Sequence, residues 1–143
     1  MTLHPLVKKW IEVLRTTDKK QGIGRLRTLD NKYCCLGIYC DVKGGEWKED
    51  IVRSKDSFIF HPNTPLMYNE IPNYIANLPT SFLIEIGMSN EFASDLMWCN
   101  DDAKLSFPVI AFLVENHFND SEYMLSLKRK HRERRIEEKE RSS

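Results

Sequence analysis

The sequence predicts a small α+β domain, with helices around a short β-hairpin or small antiparallel sheet and a charged C-terminal helical tail. Three observations carry that expectation. Apolar residues recur at three-and-four spacing from Leu3 to Leu14 and again from Phe82 to Phe118. A glycine-marked segment around Arg25 alternates basic with apolar residues, the period of a strand. The 143 residues, 41% hydrophobic and 29% charged, suit one packed core, placed at residues 1–120, with residues 121–143 as the extension.

Taken in order, Leu3, Leu6, Val7, Trp10, Ile11 and Leu14 share one helix face, with Thr2 placed to cap it and Pro5 in its first turn. That helix is expected to end near Thr16. After Gly22 and Gly24 the residues Arg25, Leu26 and Arg27 read as a strand, Asp30 and Asn31 as a turn, and Lys32 to Cys35 as the returning strand of a hairpin. The run Cys35, Leu36, Ile38, Tyr39, Val42 is apolar on most sides, as a short buried helix would be, and Gly44 with Gly45 stops it. Between Glu46 and Tyr74 the pattern loosens. An apolar patch at Phe58 to Phe60 among Pro62, Pro65 and Pro72 predicts one or two short strands inside a long loop.

Helical spacing then returns. Pro79, Phe82, Leu83, Ile86 and a stop at Gly87 make one short helix, and Ser89 caps another carrying Phe92, Leu96 and Met97. Asn100 to Lys104 reads as a turn. Ser106 then caps an amphipathic helix whose face is Phe107, Ile110, Ala111, Val114 and Phe118, with Asn119 and Asp120 separating it from the tail.

Composition excludes some classes. No apolar run approaches the roughly 20 residues of a membrane helix, and Lys8, Lys9 and Glu12 interrupt the N-terminal apolar pattern, so neither a membrane span nor a secretory leader is expected. The basic and acidic totals are equal at 21 each, yet Lys128 to Arg141 holds eight of the basic and four of the acidic residues. That leaves 13 basic against 17 acidic before it, a body of about −4 and a tail of about +4. Such a tail suits a nucleic acid, an acidic partner, or the chain's own acidic body. Cys34, Cys35, Cys40 and Cys99 contain no C-x2-C pair, so no metal, no cofactor and a reducing compartment are expected. A cysteine hydrolase would need Cys34 or Cys35 beside His61 or His117, oriented by Asp41 or Asn100; packing is the plainer role for cysteines in an apolar segment.

Further motifs carry a resemblance. Trp10, Leu14-Arg15, then Gln21-Gly22-Ile23-Gly24-Arg25-Leu26-Arg27 and Tyr33-Cys34-Cys35-Leu36-Gly37-Ile38-Tyr39-Cys40-Asp41 match a signature of the form W-x3-LR, Q-G-x-G-x-LR and Y-C-C-L-G-V-x-C-D. Leu78-Pro79, Asn100-Asp101, Ser106-Phe107, Ile110-Ala111 and Glu115 continue it. From Lys9 to Glu115 the chain thus resembles a family of small, uncharacterised accessory proteins found mainly in phage and prophage genomes. It departs from that pattern at Asp102-Ala103-Lys104, where a glycine is usual, and in its basic tail. The resemblance implies life in a bacterial cytoplasm and no known reaction.

Within that signature, Gln21, Arg25, Arg27, Asp41, Asn100 and Asp101 are polar residues beside glycines or at element ends, where binding groups tend to sit. They are the expected ligand-binding residues of a small pocket for an anionic or nucleotide-like ligand; the structural alternative pairs Arg27 with Asp41 or Asp101 and makes Asn100 a cap. The expected function is therefore non-enzymatic: a phage-type accessory protein binding a host protein or a small anionic ligand, with countering host defence as the kind of role implied. The alternative is nucleic-acid binding through Lys128, Arg129, Lys130, Arg132, Arg134 and Arg135, since no basic-aromatic strand surface is visible in the sequence.

Overall fold

The computed structural model describes residues 3–63, 74–119, 132–133 and 135–140. Helix α1 (Pro5–Thr16) buries Val7, Trp10, Ile11 and Leu14 on one face. Its cap is His4, whose Nδ1 accepts the Leu6 N–H at 3.1 Å; Thr2 lies outside the described residues. A two-residue strand β1 (Lys20–Gln21) pairs in parallel with β2 (Lys32–Tyr33), in register Lys20 to Lys32 and Gln21 to Tyr33. Helix α2 (Cys35–Lys43) is buried from Cys35 to Cys40 and ends at Gly44. Strands β3 (Gly45–Glu49) and β4 (Phe58–Pro62) form an antiparallel pair. Helices α3 (Thr80–Ile86), α4 (Asn90–Asp101) and α5 (Phe107–Asn119) follow, and a short helical stretch occupies 135–140. The architecture is a small α+β domain, as the sequence predicts.

The hairpin at Arg25 to Cys35 forms differently. Its turn is present: Asn31 takes φ 64°, and the Thr28 N–H donates to the Lys32 carbonyl at 2.9 Å. Its first strand is not. Arg27 makes only an isolated bridge to Tyr33, while the Leu26 N–H goes to the Ile75 carbonyl and the Arg27 carbonyl accepts from Phe58. The segment from Leu26 to Thr28 thus crosses between neighbours instead of running along one. The small parallel pairing with β1 takes the place of the strand, with the Gly22 N–H closing on the Tyr33 carbonyl at 2.8 Å. Two segments twelve residues apart in parallel register leave no local alternation to read.

The core is held from the middle by α2. A chain of edge-on or tilted rings crosses it: Trp10 to Tyr39 at 5.1 Å, Tyr39 to Phe82 at 5.9 Å, Phe82 to Phe60 at 5.8 Å, Phe60 to Trp47 at 5.0 Å, and Trp47 to Tyr33 at 6.0 Å. Such pairs add roughly 0.5–1.5 kcal/mol each beyond area burial. The buried Trp10 indole donates to the Cys35 carbonyl at 3.0 Å, so α1 also satisfies the first turn of α2. Helix α2 approaches the Leu26 backbone so closely that a Cβ on Gly37 would lie 1.9 Å from the Leu26 carbonyl oxygen. That oxygen accepts the Cys34 N–H at 3.2 Å and is not free to retreat.

Gly37→Ala is therefore expected to cost about 3 kcal/mol or more, at the upper end of overpacking in a filled core. Gly87→Ala meets no atom within 4 Å but keeps φ 71°, and is expected to cost about 1 kcal/mol. Urea denaturation of the two variants checks the ordering.

Candidate functional site

The six polar residues singled out in the sequence fall into three places. Gln21, Asn100 and Asp101 form a hydrogen-bonded knot around the buried Asn100 where β1, α2 and the end of α4 meet. Asn100 lies in the last turn of α4, not in the turn predicted after it, and is 1% exposed. Its carboxamide oxygen accepts from the Gln21 amide at 2.8 Å and from the Cys35 N–H at 3.2 Å. Its amide nitrogen donates to the Gly22 carbonyl and to the Asp101 carboxylate, both at 2.8 Å. A carboxamide offers two acceptor and two donor positions, and all four are filled. Gln21 spends its second N–H on the Leu105 carbonyl at 2.7 Å. Lys104, with φ 54°, turns the chain so that this carbonyl can face it.

Arg25 sits apart. It donates to Asp56 at 3.3 Å and to the Gly24 carbonyl at 2.8 Å, and the hydrogen bond from Arg25 is the main cause that holds the Asp56 carboxyl below its usual range.

Arg27 and Asp41 share the third place, a partly exposed surface built by β2, β3, β4 and the outer side of α2. The Arg27 guanidinium carbon stands 4.4 Å from the Phe58 ring centre, 5.2 Å from Tyr33 and 5.6 Å from Trp47. Its Nε and Nη2 both donate to the Asn31 side-chain oxygen, at 3.2 and 2.7 Å, which fixes the plane of the group. Its Nη1 makes no hydrogen bond among the described residues. Asp41 accepts the Trp47 indole N–H at 2.7 Å and pairs with Lys19 at 3.7 Å. Lys19 in turn lies 5.2 Å from the Tyr33 ring centre. Burial first, then the Asp41 carboxylate, push the Tyr33 phenol upward, so it stays a neutral donor. Arg27 pairs with neither Asp41 nor Asp101: both carboxylates are taken by nearer donors.

This surface corrects the expectation that no basic-aromatic strand surface exists. Trp47 stands alone among charged residues and Phe58 opens the apolar patch Phe58-Ile59-Phe60, so neither reads in the sequence as part of a shared surface. The signal lay in Glu46-Trp47-Lys48-Glu49, where one aromatic breaks a charged strand and points to the opposite face.

The thiols are placed for packing. Cys34, Cys35 and Cys40 are buried. Cys34 caps α2 by accepting the Gly37 N–H at 3.4 Å, and the Cys35 thiol donates to the Leu96 carbonyl at 3.7 Å. Burial pushes Cys34 up to about 12 and Cys99 to about 11, and raises Cys35 and Cys40 well above the ordinary thiol. No histidine among the described residues hydrogen-bonds to either Cys34 or Cys35. His117 instead lies against Phe92 and Phe118, and His61 is on β4. Among the described residues no group of three His, Cys, Asp or Glu side chains is disposed to hold a metal.

A family model described as Domain of unknown function (DUF8296) matches residues 4–118. The chain belongs to this family. No curated protein and no solved structure matches it. The matched span of this DUF8296 chain begins at the cap of α1 and ends within α5, so it holds both the Asn100 knot and the Arg27 surface. The basic tail lies outside it. Of the tail residues singled out, Arg132 pairs with Glu91 of α4 and Arg135 lies beside Asp101 and Asp102. Lys128, Arg129, Lys130 and Arg134 lie outside the described residues. No helix among the described residues is long and apolar enough to cross a membrane.

Three outcomes follow from this geometry. Asn100→Ala strands the Cys35 N–H, the Gly22 carbonyl and the Gln21 amide, and is expected to cost about 3 kcal/mol in denaturant titration, typical of buried polar groups left unpaired. Thiol-specific reagent at pH 8 is expected to leave Cys34, Cys35 and Cys40 unmodified until denaturant is added. Because the folded-state value of Cys34 is raised from 9.0 to about 12, stability should be level below pH 9 and fall as the pH climbs towards 12. Thermal denaturation across that range reads it directly.

Proposed function

We propose that this chain is a non-enzymatic binding protein, a phage-type accessory protein of the bacterial cytoplasm, that takes a small planar anion of nucleotide-like chemistry on the Arg27 surface. The observation that carries the reading is the guanidinium held over Phe58, with Tyr33 and Trp47 around it and Asn31 fixing its plane. An arginine so braced has already lost its rotamer freedom in folding, so binding a phosphate or carboxylate costs little further ordering. The aromatic rings supply faces or edges for a flat group, and Lys19 adds a second positive charge beside Tyr33. Phage origin and a role against host defence rest on the sequence resemblance, and the geometry is compatible with a ligand of either the host or the phage.

The alternative of a host protein as partner uses the same surface and is separated by what travels with the protein. As an open binding surface the tail has less support, because Arg132 is already paired with a carboxylate of the body.

Native mass spectrometry of protein purified from a bacterial host, followed by heat release and identification of anything bound, tests the proposal. A nucleotide-like anion is expected in the natural chain and absent from Arg27→Ala and Trp47→Ala, with both variants keeping the natural circular dichroism spectrum. A bound protein lost in the same variants would replace the ligand with a host partner. Retention of the ligand in both variants would remove the Arg27 surface from the reading.

A further inference from the structure

The tail and the body meet through charged side chains, and this contact is independent of the Arg27 surface. On α4 and its C-cap the residues Glu91, Asp95, Trp98 and Asp102 follow at intervals of four, three and four, which sets three carboxylates and an indole along one stripe. The opposite side of the helix, at Phe92, Ala93, Leu96 and Asn100, is buried. Two described residues of the C-terminal segment lie near this stripe. Arg132 forms an ion pair with Glu91, and three residues on, Arg135 shares a shallow recess with Met97, Trp98, Asp101 and Asp102. Positive tail and negative body, unequal in the sequence by composition alone, thus find each other within one chain.

The contact is open to solvent. The side chains of Arg132 and Glu91 are 67% and 51% exposed, and every described tail residue is exposed. An ion pair in such a setting is weak and screened by salt. A polyanion competes well against it, since duplex DNA carries a charge every ~1.7 Å of axis and binding a basic segment releases its counterions. Phosphates cannot join Arg132 while Glu91 remains beside it without meeting like charge.

We infer that the C-terminal segment is a self-inhibited nucleic-acid-binding element: the Glu91 carboxylate holds Arg132, Arg135 lines the recess edged by Asp101 and Asp102, and a phosphate backbone takes both arginines when this clasp opens. Occupation of α4 by the tail and occupation of the tail by nucleic acid exclude each other. Removing the carboxylates should therefore strengthen nucleic-acid binding, and the arginines should be required for the gain.

The test is fluorescence anisotropy of a short labelled duplex DNA titrated with the full chain at low salt. The clasp variant Glu91→Gln/Asp102→Asn is compared with the natural chain and with Glu12→Gln/Asp18→Asn, which loses the same charge elsewhere. The clasp variant is expected to bind about tenfold tighter than the natural chain, and the control by less than about twofold. Adding Arg132→Ala and Arg135→Ala to the clasp variant should cancel the gain. An equal gain in the control, no gain in the clasp variant, a gain that survives loss of both arginines, or no DNA binding by any form would each overturn the inference. The indole N–H resonance of Trp98, assigned by its loss in Trp98→Phe, reports the contact without DNA: it should shift between natural chain and clasp variant, and an unmoved resonance overturns the clasp.

Discussion

The side chain of Asn100 ties together three parts of the chain. It reaches from the end of α4 to the first N–H of α2 and to the Gly22 carbonyl after β1, and it receives the Gln21 amide. A carboxamide with all four positions filled is worth more than its separate bonds, because in a buried site each partner is costly to leave alone. The consequence is positional. With Gly22 held, β1 is pinned beside β2, Tyr33 is fixed at its edge, and the turn from Thr28 to Lys32 delivers Arg27 back over the Tyr33 ring.

Behind that surface stands the aromatic chain from Trp10 to Trp47. It runs from α1 through α2, α3 and β4 to β3, and Trp47 at its end is one of the three rings around Arg27. The close approach of Gly37 to Leu26 serves the same end from the other side, since it lets the α2 backbone and the crossing segment share one layer. The Arg27 surface is thus mounted on rigid elements, while Arg132, the described tail residue that pairs with α4, is exposed. The two charged regions differ in kind: one is braced by rings and a fixed turn, the other is held by contacts that salt weakens.

Most helices were legible because their cause is local. The faces at Val7 to Leu14 and Phe107 to Val114, the stop at Gly87 and the cap at Ser89 are short-range patterns, and the structure places each where the spacing does. Asn100 was misplaced by a propensity argument. Asparagine, aspartate and lysine in a row read as a turn, yet four buried partners hold Asn100 in the helix and outweigh a cost of a few tenths of a kcal/mol. The hairpin was half legible: its turn is local chemistry, but the strand opposite Tyr33 was decided by Gly22 and Gln21, which belong to a different segment.

The sequence by itself determined an α+β chain, a cysteine-rich buried helix, the polar residues worth inspecting and a charge split between body and tail, because periodicity, glycine stops and composition act within a few residues of each other. Only the tertiary structure decided which of those polar residues face inward and which stand on a partly exposed aromatic surface. Gln21, Asn100 and Asp101 satisfy one another, whereas Arg27 ends among rings contributed by β2, β3 and β4. The physical reason is that a hydrogen-bonding side chain is free or spent according to the partners that folding brings within reach, and for Gln21 one of those partners lies 84 residues away.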